Sequence, residues 1–262
     1  MNSSTMKLGF LPFLVFILFL TSCVKNNDNP TWLEVDEWSL ILNSDANYNA
    51  GELSHNFTDA WVFVDDDIIG VFEVPFKIPI LKQGNVNIKI YPAVNNNGIS
   101  STKKIYPFVE HYEFDTLFVS NSTISVSPVT MYKQRSKFWI EDFEDAAIKL
   151  NDDLNSPTTI SAEGDPLHLK YGNFYGHVHL NSTDSIWVAY SSGQLVLPKV
   201  GREVYLEVDY KNTNSIISGI IAVSPSQTQS NINVQMNAQS ASDAYWKKIY
   251  IDLKEVVSFY SD

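Results

Sequence analysis

Two histidines in the C-terminal half have the spacing of metal ligands on a β-strand. His177 and His179 are separated by one residue, so both imidazoles lie on the same face of a strand and could bind zinc or copper. A structural site of this kind needs third and fourth ligands. Because Val178 and Leu180 would point the other way, a solvent-facing strand is the simpler alternative.

A short acidic cluster offers a different metal chemistry. Glu141, Asp142 and Glu144 lie within four residues, and carboxylate oxygens are the ligands that calcium prefers. Calcium takes six to eight oxygens, of which three side chains supply only a part. The sequence therefore indicates either a contribution to a structural calcium site or a solvated strand edge.

Aromatic side chains near the C-terminus could contact a sugar. Trp246 and Tyr250 share one face of a strand, with Lys248 between them. Exposed aromatic rings stack on pyranose rings, and nearby polar groups fix the orientation of the sugar. The alternative is that these rings pack under a loop or against another domain, and Trp187 has the same two interpretations.

The remaining sequence argues against several functional classes. It contains no G-x-S-x-G, H-E-x-x-H, Walker A or G-x-G-x-x-G motif, and its single cysteine excludes a paired-cysteine zinc site. With 18 Lys+Arg against 30 Asp+Glu and no basic cluster, nucleic acid is not an expected partner. We therefore expect a non-enzymatic protein without a resident cofactor, apart from the possible calcium ion.

The elements that position these residues are predicted to be β-strands throughout. From Trp32 onward, apolar residues recur at every second position, which is typical of half-buried antiparallel strands. Clusters of Asn, Asp and Gly separate the strands as turns. A basic polar stretch, residues 131–137, divides the chain into two regions of sandwich size, 32–130 and 138–262. The predicted fold class is all-β, with two sandwiches in series.

The first 23 residues are unlike the rest of the chain. An apolar run, Leu8–Leu20, is too short to span a bilayer as a mature helix but suits a signal peptide, and it ends in Leu-Thr-Ser followed by Cys23. This pattern resembles the bacterial lipoprotein signal. The resemblance implies removal of residues 1–22 and acylation of Cys23, which would anchor the protein to a membrane.

Residues 23–31 are polar, have no hydrophobic period and are predicted to be a tether between the lipid and the first sandwich. The resemblance to Bacteroidota lipoproteins implies a cell-envelope location, with the outer membrane expected. A lysine followed by acidic residues can direct such proteins to the surface. Here Lys25 precedes two asparagines and one aspartate, which leaves the periplasmic and surface faces both open.

The first region resembles a small immunoglobulin-like sandwich of the PEGA or carboxypeptidase-regulatory type. The resemblance covers residues 58–92, where a strand, the acidic turn Asp65–Asp67, a strand ending at Pro75, an apolar crossing and the turn at Gly84 precede another strand. Modules of this type are generally spacers or binding platforms.

The second region resembles jelly-roll sandwiches of the galactose-binding or carbohydrate-binding-module type, on its opening Phe138–Glu144 and its late Trp246–Leu253 strand. Such folds continue with another long strand, whereas here only Val256–Tyr260 could form a short last strand. We therefore expect an unclosed edge, from a stunted strand or a truncated chain. The whole chain is similar to uncharacterised Bacteroidota lipoproteins that pair these modules.

Two tripeptides resemble the Bacteroidota O-glycosylation motif, in which Asp precedes Ser or Thr and a residue with a methyl-bearing side chain. They place candidate acceptors at Thr116 and Ser185. Taken together, the sequence predicts a membrane-anchored binding or scaffolding protein whose partner is an envelope protein or a glycan. The alternative is an accessory lipoprotein that captures glycans through the second sandwich.

Overall fold

The computed structural model describes residues 29–198, 200–223 and 228–260. Across these residues the chain is nearly all β, with 18 strands and one short helix, which confirms the predicted fold class. The signal peptide and most of the tether lie outside the described residues.

The first region contains ten strands. They are β1 (Thr31–Val35), β2 (Ser39–Ile41), β3 (Asp59–Val64), β4 (Asp67–Glu73), β5 (Phe76–Ile80), β6 (Gly84–Asn95), β7 (Lys103–Ile105), β8 (Tyr112–Phe118), β9 (Thr123–Val126) and β10 (Val129–Met131). One sheet has the order β5-β1-β9, with β1 and β9 parallel. A second sheet has the order β4-β3-β6-β7, and β8 also pairs with the long strand β6. The short strands β2 and β10 pair in parallel.

Alternating apolar residues join these sheets around one core. Leu33 and Val35 of β1, Val62 of β3, and Ile88 and Ile90 of β6 are fully buried in a single cluster. Each strand contributes every second residue because successive side chains point to opposite faces. The first region is therefore a β-sandwich, whereas its assignment to the PEGA type remains a prediction.

In the described part of the second region there are eight strands and the helix. They are β11 (Leu150–Asp152), β12 (Ser161–Glu163), β13 (Tyr175–His177), β14 (Ala189–Ser191), β15 (Tyr205–Tyr210), β16 (Ile216–Val223), β17 (Thr228–Met236), β18 (Lys247–Asp252) and α1 (Lys254–Phe259). The described strands form four two-stranded sheets: β11-β14, β12-β13, β15-β18 and β16-β17. A smaller core, which includes Val204, Met236, Ile249, Ile251 and Leu253, lies between the last two sheets. The finer assignment to a jelly roll remains a prediction.

Of the two alternatives for the end of the second region, a short strand formed by Val256–Tyr260 is wrong, because these residues belong to α1 and its C-terminal cap. The Val257 N–H donates to the Leu253 carbonyl at 2.9 Å, and Val256 and Val257 pack against the second core. Apolar residues at positions 253, 256, 257 and 260 follow the helical period of 3.6, not the strand period of two. Within the described residues, β15 pairs only with β18, so its other edge has no strand partner.

Candidate binding site

A cleft of about 3900 Å³ lies in the second region and reaches the junction with the first. Its lining includes the aromatic residues Phe138, Tyr175, Trp187 and Trp246. It also includes a group of polar side chains from both regions. Several of the residues that the sequence singled out therefore line one concave surface, the kind of place where proteins bind ligands.

Lys248 lies in the middle of a buried ionic cluster at the junction. Its side chain is only 7% exposed, and its Nζ is 2.8 Å from Glu207 and 3.4 Å from Asp209. It also donates a hydrogen bond to Ser54 Oγ at 2.9 Å, while Ser54 Oγ donates to Asp209 Oδ2 at 2.8 Å. Lys170 pairs with the other oxygen of Asp209. The cluster therefore ties β15 and β18 to the first region.

The contact between Ser54 and Lys248 resembles the geometry of a nucleophile and its base, but the hydrogen bonds run in the wrong direction for that chemistry. A base must accept the serine proton. Here the Lys248 amine donates to Ser54 Oγ, and the Ser54 hydroxyl donates to Asp209 Oδ2. The arrangement is suited to holding two strands and a loop together.

Two tyrosines of the first region complete this cluster. The hydroxyls of Tyr106 and Tyr132 both donate hydrogen bonds to the carboxylate of Glu207, at 3.0 Å in the case of Tyr132. Burial, reinforced by the negative charge of Glu207, raises the pKa of both phenols. Burial also pushes the pKa of Asp209 upward, but Lys248 and Lys170 outweigh burial and hold that pKa below its usual range. Tyr106 and Tyr132 therefore stay neutral, and the carboxylate of Asp209 stays charged, across the neutral pH range.

Tyr250 is not a ligand-binding residue of an exposed face, contrary to the expectation from its position on the strand. It is 2% exposed and belongs to the core of the first region. Its ring centroid lies 4.8 Å from that of Tyr106 and 5.9 Å from that of Phe57. Its hydroxyl accepts the backbone N–H of Asn56 at 2.9 Å. Both faces of β18 are covered, one by the second core and one by the first region, and this leaves Tyr250 no solvent.

The prediction that Lys248 contacts a sugar is wrong for a similar reason. Its amine is nearly buried and has three polar partners, so it has no free position for a sugar hydroxyl. Trp246 remains at the cleft. Its indole N–H donates to the His168 carbonyl at 2.9 Å, and its ring meets Tyr175 edge to face at 6.4 Å between centroids. The structure therefore separates Trp246 from Lys248 and Tyr250 and brings it together with Tyr175.

Trp187 lies elsewhere in the cleft. Its indole N–H donates to Asp152 Oδ1 at 2.7 Å, and its side chain is partly buried. Both tryptophans thus have their single polar group bound internally, so only their ring surfaces are available to a ligand.

The three acidic residues predicted to bind calcium each stabilise a turn or loop. Glu141 accepts the backbone N–H groups of Phe143 and Lys149, and Asp142 accepts that of Glu144 at 3.3 Å. Glu144 accepts the N–H groups of Asn173 and Phe174 at 2.6 and 2.8 Å. Hydrogen bonds from the Asn173 side chain and from these two backbone groups lower the pKa of Glu144. The carboxylates thus serve backbone donors and do not converge on a common point.

The two histidines lie at the end of β13 and just after it. His177 Nδ1 is 2.7 Å from Glu163 Oε1 on the neighbouring strand β12, and the rings of His177 and His179 are 6.4 Å apart. Within residues 29–198, 200–223 and 228–260, no group of three His, Cys, Asp or Glu side chains is arranged to hold a metal ion.

The candidate modification residues are distributed over the chain. Cys23 lies outside the described residues. Thr116 is in β8, partly exposed and opposite Val86 of β6, whereas Ser185 is exposed in a loop before β14. Glycosylation at either residue remains a prediction.

Sequence reasoning missed the cluster around Glu207, although the sequence contains a signal for it. Glu207 and Asp209 alternate with the apolar residues Leu206 and Val208, so they share one face of a strand. Two acids on one face of a strand are usually read as a solvent face. Their partners, Tyr106 and Ser54, lie more than 100 residues earlier, and no local pattern connects them.

Comparisons of the chain with protein-family models, with curated proteins and with solved structures found no match. Among the described residues, no helix has the length and apolar character needed to cross a bilayer.

Proposed function

We propose that this chain is a lipid-anchored, non-enzymatic binding or scaffolding protein of the bacterial cell envelope. The observation that carries the proposal is the junction between the two regions. The junction contains charged and nucleophilic side chains of the types found in catalytic sites, namely Ser54, Glu207 and Lys248. These side chains instead bond strands of the second region to the first. Because these groups hold the two regions together, they favour a protein in which both regions form one rigid unit that presents a binding surface.

The location follows from the lipoprotein-like sequence that ends at Cys23, and it can be tested by fractionating cells. The full chain is expected in the envelope membranes. Cys23→Ser should move it out of them, because a hydroxyl cannot take the thioether-linked lipid. Ser22→Ala is the matched control, since it keeps a small residue before the cysteine, and it should leave the protein in the membranes. Retention of the Cys23→Ser chain in the membranes would contradict the anchor.

Glycan capture is a second candidate, and the pair formed by Trp246 and Tyr175 favours it. Their rings line the cleft, and aromatic surfaces of this kind contact sugar rings. On a glycan array, saturable binding that is lost in Trp246→Ala would support capture. Tyr250→Phe is the control, because its buried ring cannot touch a ligand. Protein partners recovered without any sugar binding would favour scaffolding, and hydrolysis of a glycan by the purified chain would contradict both functions.

A further inference from the structure

In the hairpin formed by β16 and β17, one face of β16 is partly buried and its opposite face exposes large apolar side chains. Ile216 and Ile220 pack against the second core. The intervening residues Ile217, Ile221 and Val223 are 59%, 40% and 54% exposed. Large aliphatic side chains that line up on the exposed face of a strand are a common feature of interaction surfaces.

The same hairpin lies in the longest part of the chain that carries no charge. Between Asn212 and Ser242 there is no Asp, Glu, Lys, Arg or His, although 18% of the whole chain is charged and its net charge is -12. Two copies of such an acidic protein repel each other over most of their surfaces. At the hairpin this repulsion is weakest, and apolar burial can act there.

The hairpin also lacks the usual protection of a sheet edge. Within the described residues, β16 and β17 pair only with each other, so the outer edge of each strand has no strand partner. Natural edge strands commonly carry a lysine, a proline or an inward-pointing charge that discourages further pairing. The eight residues Ile216–Val223 contain none of these.

We propose that the exposed face and open edge of β16 join two copies of this chain. The charge distribution favours a second copy as the partner. Two copies of this acidic protein repel each other least where their uncharged hairpins meet. In a symmetric antiparallel pairing centred on Ile220, Ile217 of each copy lies opposite Val223 of the other, and Ile221 lies opposite Gly219. The proposal does not depend on the lipid anchor or on the proposed function.

Sedimentation of the full chain in mild detergent tests this surface. We expect a reversible dimer whose dissociation constant rises at least about tenfold in Ile217→Asp, since a charge would be buried at the contact. Leu117→Asp is the matched control, because Leu117 is 57% exposed on β8 of the first region, and it should leave the dimer unchanged. Raising the salt concentration from about 0.05 to about 0.5 M should strengthen association, because it screens the repulsion between acidic copies.

Three results would overturn the proposal. They are a monomer at every concentration and salt level, an equal effect of both variants, and an Ile217→Asp chain that still associates as the wild type does. The last result is also the one expected if the N-terminal segment alone drives association. Far-UV circular dichroism verifies that each variant is folded, and Val223→Asp provides a second disruption of the same contact.

Discussion

Glu207 accepts two tyrosine hydroxyls and pairs with a nearly buried lysine, so its charge matters more than that of any surface acid. Glu207→Gln keeps the shape of the side chain but removes the nearer of the two carboxylates that pair with Lys248. We expect the free energy of unfolding, measured in urea, to fall by about 2 to 4 kcal/mol. Glu113→Gln is the control. Its carboxylate lies on the surface, 3.0 Å from both His111 and the Asn87 side chain and 4.0 Å from Lys89, and because these contacts are exposed its loss should lower the urea midpoint far less. Equal effects of the two substitutions would contradict a special role for Glu207.

The buried tyrosines predict a loss of stability at alkaline pH. Burial raises the pKa of Tyr205 to about 12, and it raises that of Tyr106 and Tyr250 well above the usual value. A phenol that ionises at about pH 10 in the unfolded chain but later in the folded one favours unfolding between these values. Stability should therefore be full below pH 10 and decline as the pH rises toward 12.

Absorbance of tyrosinate at 295 nm measures this titration. In the folded protein a group of tyrosines should ionise late and together with the loss of circular dichroism, and Tyr205→Phe should remove one of them. Ionisation of all tyrosines near pH 10 without unfolding would show that these phenols are not buried.

At the scale of the elements, the hairpin between β3 and β4 depends on two aspartates in the left-handed region. Asp65 and Asp66 have φ values of 49° and 66°, which match a two-residue turn that prefers glycine at its second position. Asp66→Gly should raise the urea midpoint, because glycine takes this conformation without strain. Asp67→Gly is the control within β4 and should lower the midpoint. The reverse order would contradict this description of the turn.

The strands were predictable where one face is buried and the other is not. Val86, Ile88 and Ile90 are buried and alternate with Asn87 and Lys89, and β6 forms where that pattern occurs. The same reasoning fails for β18. Alternation of apolar and polar residues predicts that one face of a strand meets solvent, whereas both faces of β18 are covered. Tyr250 was therefore expected on the surface. The C-terminal helix was missed because it has only six residues, and so short a segment holds too few apolar side chains to establish a period from the sequence alone.

At the scale of the whole molecule, Tyr250 makes the two regions share a core although they are separate in sequence. We expect heat to unfold them in one transition by calorimetry. Tyr250→Ala should lower the stability of the whole by about 3 to 5 kcal/mol, because it leaves a cavity beside Tyr106 and Phe57. Two transitions, with only the second-region transition shifted by the substitution, would show that the regions are energetically independent.

The site was less predictable than the fold because its contacts connect distant parts of the chain. Trp246 could be located at a strand start from the sequence, but its neighbours Tyr175 and His168 precede it by 71 and 78 residues. Likewise, Glu141 and Glu144 have carboxylates of the type that binds calcium. In the structure these carboxylates accept hydrogen bonds from backbone N–H groups of the surrounding loops. Composition identifies which chemistry is available, and only the arrangement of the loops decides how it is used.

The mass of the N-terminal peptide from membrane-purified protein tests the proposed anchor most directly. We predict that this peptide begins at Cys23 and carries the mass of fatty acyl chains on that residue. A peptide that retains residues 1–22, or one in which Cys23 has a free thiol, would contradict the proposal that this protein is held at a membrane by lipid.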